Sequence, residues 1–384
     1  MALTTLPTAA FATGSVGTSQ LADGAVTTEK LKADVNFRNL IINGDMSIAQ
    51  RGTSVTGQTG SGFTTVDRVR IATGAGCTFT ISQATDAPTG QGFTKSYKVE
   101  ATTGDASLGS GEYNFPVVMY FEGQNLQLLK FGTSSAESVT ISFWVKATVT
   151  GTYILELRND DNARYVSKSY TINSSNTWEK KTITIDGDTI QGFDNDNGRS
   201  LSLNFWGGAG SDYSSGTLQT AWTSNTDANR AVGQVNAFAS NNDVWQITGL
   251  QLEAGTTASD FEFLPYDVNL QRCMRYYEIL QATDTYDTIL ATWNRNTSDM
   301  GATLNYKVIK RAEPSFSFSS GNTFRMNTAT GDHTASSISS SNPTIYTAQI
   351  NIIASGTPLT AGQAGYINME NGNGDAIIRM DAEL

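Results

Sequence analysis

Between Gly52 and Gln251 the chain shows no 3.6-residue apolar period; short runs of alternating apolar and polar residues are separated by clusters of Gly, Asn, Asp and Ser. Alternation at period two places one face of each run against a core, so the stretch must fold as strands joined by turns. Val139–Thr148 is the clearest case, with Ile141, Phe143 and Val145 on one side and Ser142, Trp144 and Lys146 on the other. Thr152–Arg158 pairs with Arg164–Ile172 across the hairpin signal Asn159–Asn162. Val66–Ala72, Cys77–Ile81, Thr94–Ala101, Trp178–Ile185, Leu201–Trp206 and Trp245–Glu253 bring the count to about nine strands. Phe37–Gly52 and Gln251–Tyr277 bracket this region and read as the opening and closing strands of one β-sandwich, with Leu40, Ile41 and Ile42 as a buried run before an Asn43-Gly44-Asp45 turn.

The resulting fold class is all-β: an N-terminal extended repeat arm (1–35), a β-sandwich (36–266) and a smaller C-terminal β-sandwich (267–384). The arm places Leu6, Phe11, Val16, Leu21, Val26 and Leu31 at a five-residue spacing that matches neither helix nor strand. A single chain cannot gather these residues on one face, and a repeat that cannot bury its own apolar positions needs neighbours. Several copies winding together along the arm are therefore expected, with a disordered tail as the alternative. Residues 207–243 form a long Gly/Ser/Asn-rich connection carrying Tyr213, Trp222 and Phe238, the kind of loop that is functional or mobile. Asp267–Leu280 has near-helical spacing of Leu270, Met274, Tyr277 and Ile279, with Asp267 or Asn269 as cap. Short strands then resume to the C-terminus.

Composition excludes several function classes. Lys and Arg number 25 against 36 Asp and Glu, a net charge of −11, which disfavours nucleic acid and anionic membranes as partners. No window approaches the roughly 18 apolar residues of a membrane-spanning helix, and the N-terminus lacks the basic and apolar regions of a secretory signal. Membrane insertion is not expected, and synthesis in a cytosol is. Cys77 and Cys273 are too few for a disulfide framework or a zinc site and are expected as buried free thiols.

Catalytic signals are weak. The single histidine, His333, sits in a polar run that reads as a loop, with no buried carboxylate in prospect. Asp and Glu fall mainly in turns, where local Asx hydrogen bonds explain them; catalytic residues and cofactors are expected to be none, with polysaccharide depolymerisation kept as an alternative. Asp194 and Asp196 open a run like the start of a calcium loop, but its twelfth position is Phe205 instead of Glu, so a turn and a structural calcium both stand as readings. Trp144, Trp206, Tyr213 and Trp222 are candidate ligand-binding aromatics: rings flanked by Asn, Gln and Asp suit sugar faces and hydroxyls. The alternative is that these rings fill the sandwich or a subunit contact.

Three stretches together resemble tail-fibre and appendage proteins of tailed bacteriophages, particularly those of marine and cyanobacterial phages. They are GSVGTSQLADGAVTTEKLKADV, RNLIINGDMSIAQRGTS with TTVDRVRI, and WQITGLQLEAGTTASDFEFLPYDVNLQRCMRYYE. The resemblance covers about residues 1–280 and implies a carbohydrate-binding-module-like jelly roll, a trimeric virion appendage, anchoring to other virion proteins (tail, neck or portal region) through the arm, and attachment to host-surface polysaccharide or lipopolysaccharide. It carries over no catalytic residue. Only 35 residues precede the globular part, so a short appendage is expected, leaving open a head or neck fibre or a purely structural capsid decoration.

Overall fold

The computed structural model describes residues 37–384 apart from 283, 285, 286 and 371–374. The proposed arm, with its six apolar positions from Leu6 to Leu31, lies outside the described residues.

The first unit contains β1 (Ser54–Gln58), β2 (Gly62–Phe63), β3 (Arg70–Thr73), β4 (Thr78–Ala84), β5 (Ser96–Thr103), β6 (Tyr113–Glu122) and β7 (Val139–Ala147). It continues with β8 (Gly151–Asn159), β9 (Arg164–Ile172), β10 (Glu179–Ile185), β11 (Arg199–Phe205), β12 (Gly208–Ala209), β13 (Thr223–Ser224) and β14 (Val244–Ala254). Two sheets pack face to face, one of six strands ordered β1-β4-β5-β14-β7-β10 and the other of eight, β13-β9-β8-β11-β6-β3-β2 with β12 also paired to β6, as expected of a jelly-roll sandwich. Alternation decides what lies between them: Phe79, Val99, Ile141, Phe143, Val145 and Trp245 from one sheet meet Val117, Met119, Leu155, Leu157, Leu203 and Phe205 from the other. Phe143 and Phe205 meet edge-on at 5.0 Å, and each such fully buried ring contributes roughly 1.5–3 kcal/mol.

The opening stretch departs from expectation. Phe37–Gly52 forms no strand; it is an irregular plug held by side-chain amides. Strand β14 is bulged between Thr248 and Gln251, and Gly249 takes φ +60° there, where a side chain would meet the Phe93 ring. The bulge frees Leu250 to exchange hydrogen bonds outside the sheet: its N–H donates to the Gly44 carbonyl at 2.9 Å, and its carbonyl accepts from Asn39 Nδ2 at 3.2 Å. Gly44 packs so close to the Leu250 carbonyl that a Cβ would fall 2.0 Å from its oxygen. Strand β3 is likewise shorter than the expected Val66–Ala72. Arg68 adopts φ +69°, so the chain turns at Val66–Val69 and buries both valines, while the arginine, also buried, reaches Glu383.

The turn at the end of the sandwich is a helix, α1 (Tyr266–Met274), though a shorter one than expected and preceded by Pro265 instead of an Asp267 or Asn269 cap. Asn269 is instead buried, accepting from the Asn43 N–H and donating to Asp45 and Ser47. Tyr277, expected on the helix, opens β15 (Tyr277–Ala282). The remaining strands are β16 (Leu290–Asn294), β17 (Asp299–Asn305), β18 (Ser315–Phe318), β19 (Phe324–Thr328), β20 (Gly331–Ser341), β21 (Thr347–Ala354), β22 (Ala364–Met369) and β23 (Ala376–Asp381). The smaller C-terminal unit takes the form of a closed barrel, β16-β17-β21-β20-β19-β22, beside a three-stranded sheet β15-β23-β18. His333 lies on β20, a strand the polar texture of its Ser and Thr residues concealed.

The two bracketing stretches meet. Arg51 stacks over Tyr277 at 3.6 Å and contacts Asp381 at 3.1 Å, while Arg68 stacks over Tyr276 at 3.5 Å and pairs with Glu383. Glu122, at the end of β6, accepts from Arg275 at 2.8 and 2.7 Å and from the Tyr276 hydroxyl at 2.5 Å. Burial alone would raise the Glu122 pKa, but these donors outweigh it and hold the carboxyl below its usual range. Cys77 and Cys273 are both free and buried, as expected.

Candidate binding cavity

The outer face of the eight-stranded sheet is built differently from an ordinary solvated strand face. In β6, Pro116 sits at a bulge: Arg70 of β3 is opposite Val118, while Ala72 is opposite Phe115. Proline, with no N–H to give the ladder, is tolerated at such a site, and the extra residue brings Phe115 and Val118 onto the same outer face. Beside them, alternation in β8 and β11 points Ile154, Glu156 and Arg158, and Ser202 and Asn204, outward, away from the inter-sheet core. The long connection 207–243 closes over this face. It is tied down by backbone hydrogen bonds from Gly207 to Asn114, Ser167 to Gln219 and Val235 to Thr152, each between 2.7 and 2.9 Å, and braced within itself by one from Ala231 to Tyr213 at 2.8 Å. The expected functional loop is therefore an ordered wall.

Between wall and sheet lies a cavity of about 300 Å³, within the range of small-molecule pockets. Its aromatic part comprises Tyr113, Phe115, Tyr120, Trp206 and Tyr213. Trp206 is fixed by its N–H to the Ile154 carbonyl at 2.9 Å and lies 4.2 Å from Phe115 and 5.5 Å from Tyr213, centroid to centroid. The indole N–H of Trp206 is buried with no acceptor among the described residues. Four arginines also line the cavity: Arg70, Arg158, Arg199 and Arg230. Arg230 forms a bidentate pair with the fully buried Glu156 at 2.8 and 2.9 Å and lies over Trp206 and Tyr213 at 5.2 and 5.6 Å. Burial opposes the Arg230 charge, but Glu156 outweighs it and holds the guanidinium pKa above its ordinary value. Asn204 donates to the same Glu156 carboxylate at 2.9 Å. Asp160 accepts from Ser202 and stands 3.3 Å from both Arg158 and Arg199. Burial raises the Asp160 pKa, a shift that Ser202 and the two arginines only partly offset.

Of the four aromatics read from the sequence, Trp206 and Tyr213 come together in this cavity. Trp144 does not: it lies half-buried on the outer face of the six-stranded sheet, opposite Lys180 and Thr248. Trp222 packs on Phe131 at 5.6 Å and donates its indole N–H to the Asp186 carbonyl at 2.8 Å, a filler of the loop base. Asp194 and Asp196 form a turn. Asp196 Oδ1 accepts from the Gly198 N–H at 2.7 Å, and no group of three or more His, Cys, Asp or Glu gathers as a metal set among the described residues. The arginines, Asp160, Tyr113 and Tyr120 were not singled out from sequence. Their one signal was parity: Arg70 and Arg158 oppose the apolar phase of their strands, as any solvated residue would.

No family model matches the chain, and no curated protein does. Among solved structures, the enzymatically active domain of bacteriophage CBA120 tailspike protein 4 aligns at 14% identity and a TM-score of 0.30, over 56% of this chain and 21% of that one. A family 11 carbohydrate-binding module from Clostridium thermocellum, in complex with a mixed-linked tetrasaccharide, aligns at 12% identity and a TM-score of 0.27, over 54% and 97%. The N-terminal CBM22-1–CBM22-2 tandem domain of Paenibacillus barcinonensis Xyn10C aligns at 12% identity and a TM-score of 0.25, over 92% and 100%.

Proposed function

We propose that this chain is a virion appendage of a tailed bacteriophage that holds host-surface glycan in the cavity beneath the 207–243 wall. The observation that carries glycan binding is the cavity itself: apolar rings beside a set of polar groups, on a sheet face closed by a tethered connection. Rings of this kind stack on sugar C–H faces, while the hydroxyls of Tyr113, Tyr120 and Tyr213, bonded to no described residue, remain available to sugar hydroxyls. The virion role rests on the resemblance of RNLIINGDMSIAQRGTS and its partner stretches to phage appendage proteins. The arm 1–35 joins three copies and anchors them to the particle, so weak single sites add through valency. Binding proceeds without catalysis. Glu156, the most buried carboxylate by the cavity, is engaged by Arg230 and Asn204 and is in no position to take a proton from water.

Host-cell adsorption tests this reading. Excess soluble protein blocks attachment of the parent phage, and a Tyr213→Ala variant blocks it poorly; a soluble wild-type protein that leaves adsorption unchanged overturns the attachment role. Incubation with host polysaccharide yields no new reducing ends; release that disappears with Asp160→Asn would make the protein a depolymerase.

A further inference from the structure

Within an acidic chain the cavity carries an excess of positive charge that the protein does not neutralise. Arg230 pairs with Glu156 and, at 3.3 Å, with the exposed Asp227. The other three lining guanidiniums, on Arg70, Arg158 and Arg199, share one carboxylate, that of Asp160, which stands 3.3 Å from two of them and also accepts from Ser202. Arg70 pairs with no carboxylate among the described residues and lies over the Tyr120 ring at 5.9 Å. Three guanidiniums thus gather about one carboxylate, and the four arginines face three carboxylates in all, leaving a positive charge over at a site whose Asp160 side chain is only 8% exposed. A neutral sugar needs hydrogen bonds and ring faces but gives no reason to gather cations, and like charges held together in a half-enclosed site repel. Cation–ring contacts of Arg70 and Arg199 with Tyr120 explain part of the arrangement but supply no counter-charge. A planar guanidinium offers paired N–H donors that fit a carboxylate or a sulfate in a fork.

We infer that the cavity selects a sugar residue bearing an anionic substituent, a carboxylate or sulfate, seated among Arg70, Arg158 and Arg199 with its ring toward Trp206 and Tyr213. This inference rests on the glycan-binding reading and narrows its ligand class. The negative charge of the ligand replaces the missing counter-charge, so binding weakens as salt rises. The overall charge of −11 repels acidic polymers elsewhere on the surface, which confines them to this site.

The test uses the full chain on a glycan array in which uronic-acid, sialic-acid and sulfated oligosaccharides are each printed beside a carboxyl-reduced or desulfated counterpart. Acidic members are expected to bind at least about tenfold tighter than their neutral partners, equivalent to about 1.4 kcal/mol. Whether carboxylated or sulfated members lead decides the substituent. In Arg70→Gln, and separately in the more exposed Arg199→Gln, the preference falls toward unity while binding to neutral members persists, with circular dichroism verifying the fold. Neutral members binding as well as acidic ones overturns the inference and leaves the glycan reading standing. A preference that survives in both variants also overturns it, because the anion then sits elsewhere. No binding on either half of the array overturns the glycan reading and this inference with it.

Discussion

The two outer faces of the sandwich begin from the same alternating sequence and end as different chemistry. On the six-stranded sheet the outward residues pair locally and stay wet: Lys98 with Glu100 at 2.6 Å, and Lys146 with Asp86 at 2.7 Å. On the eight-stranded sheet the outward residues are covered by 207–243, and the same residue types become a buried Arg230–Glu156 pair, an unsatisfied indole N–H and three arginines around one aspartate. Nothing in the strands decides this. The difference lies in whether a connection long enough to fold back is present, and in the backbone bonds that hold it down.

The largest effect should come from breaking the covered face. Glu156→Gln leaves Arg230 buried beside a neutral partner, and urea unfolding should show a loss on the order of 3–5 kcal/mol. Removing a wall ring should act on binding instead: Tyr213→Ala is expected to weaken glycan affinity about tenfold by calorimetry, roughly 1.4 kcal/mol, with far less change in stability. Trp144→Ala, on the other face, should leave that affinity within about twofold, or roughly 0.4 kcal/mol; a tenfold loss there would move the site to the wrong sheet. Lys98→Ala should cost only about 0.2–1 kcal/mol, as solvated pairs do.

The comparison also predicts opposite titrations. Glu179, on the edge strand of the six-stranded sheet, suffers a small burial penalty that Lys181 and the N–H groups of Ser174 and Asn173 outweigh, bringing its pKa down to about 2. Its folded pKa lies below the unfolded value, so its contribution to stability is present above about pH 4.5 and is lost as pH falls toward 2. Asp160 shifts upward by burial, so its contribution has the reverse sign: present at low pH and lost as pH rises through its folded pKa. Carboxyl-resolved NMR should find the two midpoints on opposite sides of their ordinary values, and an Asp160 midpoint below 3.8 would mean the cavity is wetter than its geometry indicates.

The sandwich was legible because its core is periodic. Ile141, Phe143 and Val145 announce a buried face, and Asn159–Asn162 announces the turn between β8 and β9. The opening plug was not, because Leu40, Ile41 and Ile42 look like a strand while the Asn39 and Asn43 side chains do the bonding. Strand β20 was hidden for the opposite reason: its Ser and Thr residues carry little apolar alternation, and pairing with β21 sets its place. For the cavity, Trp206 and Tyr213 were visible as residue types. Their meeting with Arg70, Arg158 and Arg199 depends on strand order, and a β6 bulge shifts the phase by one residue. Both are long-range facts that local periodicity does not encode.

The guanidinium clasp between the two units has a mechanical meaning. Arg51 and Arg68 grip Asp381 and Glu383, so the end of β23, in the sheet beside the barrel, is bolted to the first turns of the sandwich, and Glu122 grips Arg275 and Tyr276 just beyond the connecting helix. Force applied to the barrel reaches the sandwich through several charged contacts in parallel as well as through the single covalent strand between them. Such a joint transmits torque, so a turn of the C-terminal unit carries the cavity with it.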